Sequence, residues 1–67
     1  MKFISKYSDV NSRRFELENT PDFGCYFYIY ENGKCVRDYL QDTLEQAIGF
    51  AFEYYQVPKD SWVKIEK

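Results

Sequence analysis

The chain has no histidine, so the side chain that most often moves protons near neutral pH is missing. Acid–base work would fall to a carboxylate. Asp38 is the candidate, because it sits in an alternating run just ahead of a helix start, where burial would perturb its pKa. A bond to the backbone near the helix N-terminus is the plainer role expected for it. Nucleophilic chemistry would fall to Cys25 or Cys35. A nucleophilic cysteine needs an activating neighbour; the plainer readings are Cys25 as a small buried hydrophobe and Cys35 as an ordinary strand residue. Gly24, Gly33 and Gly49 are isolated and form no loop that could cradle a phosphate. With no histidine and no second cysteine pair, no metal ligand set is spelled out, and no cofactor is expected. The expectation is a protein that is not an enzyme.

The aromatic residues stand out against this background. Seven Tyr, six Phe and one Trp in 67 residues give a short chain the large side chains a small core requires. Tyr26, Tyr28 and Tyr30 recur at every second position, so a strand would place them on one side. With Arg37 and Tyr39 from a following strand they would make an aromatic, partly basic surface, and Tyr with Arg is the composition favoured at binding hot spots. The competing explanation is that Tyr and Arg simply suit an exposed strand, with Tyr28 and Arg37 as a cross-strand cation–π pair. A second is that the N-terminal strands or the Trp62 segment cover the surface. Aromatics on an open sheet also stack the bases of single-stranded nucleic acid. Lys2, Lys6, Arg13, Arg14 and Arg37 are thin support for that, diluted by Glu16, Glu18 and Glu31.

The elements that must position these residues begin with a hairpin. Asn32-Gly33 lies between two strand-like runs, 25–31 and 34–40, and both turn residues tolerate the positive φ that a two-residue loop requires. Pairing 31 with 34 and continuing inward puts Cys25, Phe27, Ile29, Val36 and Leu40 on one face with Asp38, and the tyrosines with Cys35 and Arg37 on the other. A three-residue loop with a bulge at Gly33 would slip the second strand by one and mix the two sets, and the register that keeps the aliphatics together is preferred. In that register the two cysteines face opposite ways, roughly 17 Å apart at ~3.4 Å per residue. That is far beyond the ~7 Å a disulfide spans, so free thiols are expected. Asp42-Thr43-Leu44-Glu45 reads as a capping box opening a helix over about 43–56. Its apolar stripe is Leu44, Ala47, Ile48, Ala51, Phe52 and Tyr55. Phe50 and Tyr54, four apart at the stripe's edge, either widen the core or form a second exposed patch. Val57-Pro58 ends the helix. Residues 2–7 and 14–18 alternate as strands, 19–24 form a turn, and 61–66 alternate as a short closing strand.

The expected fold is therefore a single α+β domain over 1–67: an antiparallel sheet of three to five strands with one amphipathic helix packed on one face, in the order β-β-β-β-α with a final β left open. A net charge of −2 spread along the chain creates no field that would draw DNA or a membrane surface. No apolar run approaches the roughly 18–20 residues of a membrane helix, and the first residues lack a signal-peptide core. A cytoplasmic location is expected.

From Gly24 onward, Cys25-Tyr-Phe-Tyr-Ile-Tyr, Asn32-Gly33, Asp38-Tyr-Leu-Gln-Asp-Thr-Leu-Glu45 and Val57-Pro58-Lys-Asp-Ser-Trp62 together resemble small bacterial proteins of unknown function, some of them encoded beside toxins and proposed as immunity proteins. The resemblance covers about two thirds of the chain and carries over no functional residue. It implies a non-enzymatic protein whose task is to bind another protein, as an immunity-type inhibitor of a toxin or effector enzyme. A phage-type inhibitor of a bacterial defence complex, a single-stranded nucleic-acid binder and a homodimer through the tyrosine face are the alternatives. The expected protein-binding set is Tyr26, Tyr28, Tyr30, Arg37 and Tyr39, with Phe50 and Tyr54 as the alternative patch.

Overall fold

A computed structural model describes residues 1–9 and 11–65 of the chain. The strands are β1 (Lys2–Ser5), β2 (Arg14–Thr20), β3 (Gly24–Glu31), β4 (Lys34–Gln41) and β5 (Trp62–Ile65), and the helix α1 is Leu44–Tyr55. They form one antiparallel sheet in the order β4-β3-β2-β1-β5, with α1 packed on one face. The closing strand forms, although Glu66, the last residue of the expected run, lies outside the described residues. The helix carries the chain from one sheet edge to the other, and so it covers one face and leaves the second bare.

The core lies between helix and sheet. Phe15, Leu17, Cys25, Phe27 and Ile29 project from β2 and β3 onto Ala47, Ala51 and Val57, all of them buried. Two alanines at the contact let the helix backbone approach closely, and the strand aromatics fill the space. Phe27 is the hub: its ring meets Phe15, Tyr39, Phe50, Tyr55 and Trp62 with centroids 5.6–6.4 Å apart. Ala47 and Ala51 fix the centre of the helix's buried face, so Phe50 falls within reach of the core, whereas Phe52 is pushed to the margin and stays half-exposed.

The Asn32-Gly33 turn forms as its residues require, with φ of 54° and 81°, and Glu31 pairs with Lys34 and Tyr30 with Cys35. Beyond that pair the expected register fails. A β-bulge places Ile29 opposite Arg37, Tyr28 opposite Asp38 and Phe27 opposite Tyr39, with Val36 as the extra residue. Four assignments therefore change sides. Arg37 and Tyr39 move to the helix face, while Asp38 and Leu40 move to the bare face, where both are exposed; Val36 is likewise half-exposed rather than in the core. The physical reason is the greater burial that an aromatic provides. Tyr39 gains ring contacts with Phe27, Phe50 and Tyr55, and its hydroxyl lies 2.8 Å from that of Tyr55. Leu40 in the same place would offer less area and no hydrogen bond.

Two further details are shifted by one residue. The helix N-cap is Thr43, not Asp42: the Thr43 hydroxyl accepts the Gln46 N–H at 3.1 Å. The helix ends on Gln56 in the left-handed region, φ 60°, and its successor Val57 donates its N–H back to the Ala51 carbonyl. At the opposite end of the sheet Gly24 has φ 114°, and a Cβ there would lie 2.4 Å from the Gln41 carbonyl oxygen. Only glycine lets the β2–β3 turn tuck under β4.

Candidate functional site

The bare face is organised around β3. Tyr26, Tyr28 and Tyr30 stand in a row, Tyr26 stacked on Tyr28 with centroids 6.0 Å apart and Tyr28 tilted against Tyr30 at 6.5 Å. Strand pairing sets their neighbours. On β2, Arg14, Glu16 and Glu18 lie opposite Tyr30, Tyr28 and Tyr26; on β4, Asp38 lies opposite Tyr28 and Leu40 opposite Tyr26. Ile4 and Lys2 of β1, then Val63 and Ile65 of β5, continue the same face outward.

The charges on this face neutralise one another. Glu16 is only 4% exposed although no helix covers it, because its neighbours close over it. Its carboxylate takes Lys2 Nζ at 3.5 Å and Arg14 Nε at 3.3 Å. Glu18 holds the N-terminal ammonium at 3.2 Å. The Arg14 guanidinium also lies 5.4 Å from the Tyr30 ring centre, a cation–π contact. Asp38 alone on this face has no ion-pair partner among the described residues. Burial pushes the Tyr28 phenol above its usual range, and Tyr26, Asp38, Glu18 and Tyr30 around it add to the effect. It remains a neutral hydroxyl that donates and accepts hydrogen bonds.

Of the five residues expected to act together, the structure brings together three. Tyr26, Tyr28 and Tyr30 share the bare face. Arg37 is exposed on the opposite side of the sheet, and Tyr39 is half-buried against the helix. The cation beside the tyrosines is Arg14. Its signal was the clean alternation of 14–18, which puts Arg14, Glu16 and Glu18 on one side; what the alternation does not say is which strand β2 borders.

Phe50 and Tyr54 do form a patch at the helix edge. Phe50 packs inward on Tyr39 at 4.8 Å and outward on Tyr54 at 4.6 Å, so it serves the core and the surface at once. Tyr54 is 65% exposed. A shallow depression beside it runs from the end of β4, at Leu40 and Gln41, along the outer side of α1, with Gly49 within it.

Burial pushes the Cys25 thiol up to about 11, so it stays protonated, and a thiol needs its thiolate to attack. Both cysteines are free. Asp9 accepts N–H groups from Asn11 and Arg13 and is clamped by the Arg13 side chain. That guanidinium also sits 5.3 Å from the Tyr55 ring centre, which ties the β1–β2 loop to the end of α1. Among the described residues no cluster of metal-binding side chains occurs, and no helix is long and apolar enough to cross a membrane.

No family model matches the sequence, and neither a curated protein nor a solved structure does so.

Proposed function

We propose that the chain is a non-enzymatic, cytoplasmic binding protein that acts by contact with another protein, as an immunity-type inhibitor of a toxin or effector enzyme. The observation that carries this reading is the row of Tyr26, Tyr28 and Tyr30 on a sheet face that no element among the described residues covers. Tyrosines contribute large, rigid contact area at low entropic cost, with a hydroxyl to fix register. Leu40 and Val63, both exposed on the same face, add apolar area on either side of the row. Because the row is seated on a sheet, the surface is rigid before contact, which lowers the cost of association. An interface of ~800 Å² per partner, enough to occlude an active site, is within reach of a domain this size.

The electrostatics favour a protein over a nucleic acid. The two cations nearest the row, Lys2 and Arg14, are both engaged with Glu16, while Asp38 lies opposite Tyr28 and Glu18 opposite Tyr26. Phosphate contacts require uncommitted Lys or Arg.

The test is co-purification from native lysate with wild type beside a folded Tyr26→Ser/Tyr28→Ser variant. Any partner retained is then purified and its enzymatic activity titrated with each form. Loss of activity with wild type and not with the variant is the expected result. A partner inhibited equally by both forms places the contact elsewhere, and a captured enzyme that stays fully active refutes inhibition.

A further inference from the structure

We infer that the outer side of α1 holds a slot for an arginine side chain of a partner protein, in a depression that meets the flank of the tyrosine face at Leu40 but includes none of the row itself. The starting point is Gly49. A glycine in a helix interior lowers stability relative to alanine, and such positions usually have a packing or backbone reason. Here there is neither: Gly49 is not among the positive-φ residues, and a Cβ built on it would meet nothing within 4 Å. A local rule is broken with no gain to the fold, which is the mark of a functional position.

The surroundings say what would fit. Gln46, Gly49, Phe50 and Glu53 are spaced i, i+3, i+4, i+7, so they form one patch of helix surface, and all four line the depression along α1. The missing side chain at 49 leaves a notch between Gln46 and Glu53. Among the described residues neither of those side chains has a hydrogen-bond or ion-pair partner, so an amide oxygen and a carboxylate are both available as acceptors. The Phe50–Tyr54 pair, centroids 4.6 Å apart, walls one side with aromatic surface, and Tyr54 is largely exposed. A planar guanidinium needs a carboxylate, a second acceptor and an aromatic face to lie against, and its aliphatic stem needs a gap to pass through. The notch supplies all of these.

Charge complementarity selects a cation over an apolar anchor. From Asp42 to Lys59 the segment carries Asp42, Glu45 and Glu53 against the single Lys59. None of the three carboxylates is ion-paired among the described residues; the Lys59 ammonium lies over the Phe52 ring, 5.2 Å from its centre, and both of these residues line the depression together with Asp42 and Glu53. The lining of the depression therefore carries two carboxylates, Asp42 and Glu53, against one ammonium.

The experiment is an amide-resolved NMR titration of the whole chain with the blocked tripeptide acetyl-Ala-Arg-Ala-amide, beside its leucine and glutamate counterparts. The expected result is saturable shifts at Gln46, Gly49 and Glu53 with the arginine peptide alone. These should be abolished by Gly49→Leu, and weakened about two- to fivefold by Glu53→Gln, the loss of one exposed ion pair. They should persist in Tyr28→Ser, which separates this site from the sheet face. Equal shifts with the leucine peptide would overturn the assignment, as would shifts confined to the sheet, or unchanged binding in Gly49→Leu with the thermal midpoint confirming a folded variant.

Discussion

Two glycines in this chain have opposite meanings, and substitution tells them apart. Gly24 holds φ 114° with the Gln41 carbonyl oxygen 2.4 Å from where a Cβ would stand. Gly24→Ala must therefore strain the backbone or push β4 away, costing on the order of 1–3 kcal/mol. Gly49 has open space around it, so Gly49→Ala should stabilise by about 1 kcal/mol. Chemical denaturation of the two variants beside wild type checks both signs at once. Asp9 gives a third prediction at this scale. Burial opposes its charge, but the hydrogen bonds from Arg13 and Asn11 and the Arg13 charge outweigh that and hold the carboxyl below its ordinary value of 3.8. A depressed folded-state pKa means stability that is complete above the unfolded value and is lost as pH falls through the folded one. Asp9→Asn should therefore be less stable than wild type at neutral pH and lose less on acidification below about pH 4, as urea midpoints across that range would show.

At the scale of elements, the parts that depend on neighbouring residues were legible in the sequence, and the parts that depend on distant ones were not. Asn32-Gly33 marks its own turn because the φ constraint is local, and residues 44–55 mark a helix through their period. The β-bulge at Val36 has no local signature. It is decided by whether Tyr39 or Leu40 lies under α1, a competition that exists only once Phe50 and Tyr55 are in place. One extra residue moved Arg37 and Tyr39 off the tyrosine face and put Asp38 and Leu40 on it, so the candidate site was half legible: the row on β3 follows from alternation alone, and its flanks do not. The helix start shows the same limit on a smaller scale, since Asp42 and Thr43 are both good caps and only the backbone path chooses. The Thr43 hydroxyl accepts the Gln46 N–H, so Thr43→Ala should cost about 1 kcal/mol, and Asp42→Ala only the few tenths due to a charge near the helix N-terminus. Thermal midpoints of the pair distinguish the two caps.

For the molecule as a whole, the two-faced sheet sets the terms. One face carries the entire core, and Phe27 is its centre, in ring contact with residues from β2, β4, α1 and β5. A domain of this length has a total stability of roughly 3–10 kcal/mol. Truncating a buried phenylalanine costs about 3–5 kcal/mol, because no single neighbour can move into a space bounded by four elements. Phe27→Ala should therefore remove about a third or more of the chain's stability, and unfold it at room temperature where the total lies in the lower half of that range. Tyr28 is its immediate neighbour on the same strand but points to the bare face, where truncation opens no cavity, so Tyr28→Ser should cost only about 1 kcal/mol, mostly strand propensity and lost contact with Tyr26. Circular dichroism of the two variants is the check, and a large loss of structure in Tyr28→Ser would mean that the tyrosine row belongs to the fold. Retention of structure there, with structure lost in Phe27→Ala, separates a side chain that the fold can do without from one that it cannot within two consecutive residues of β3.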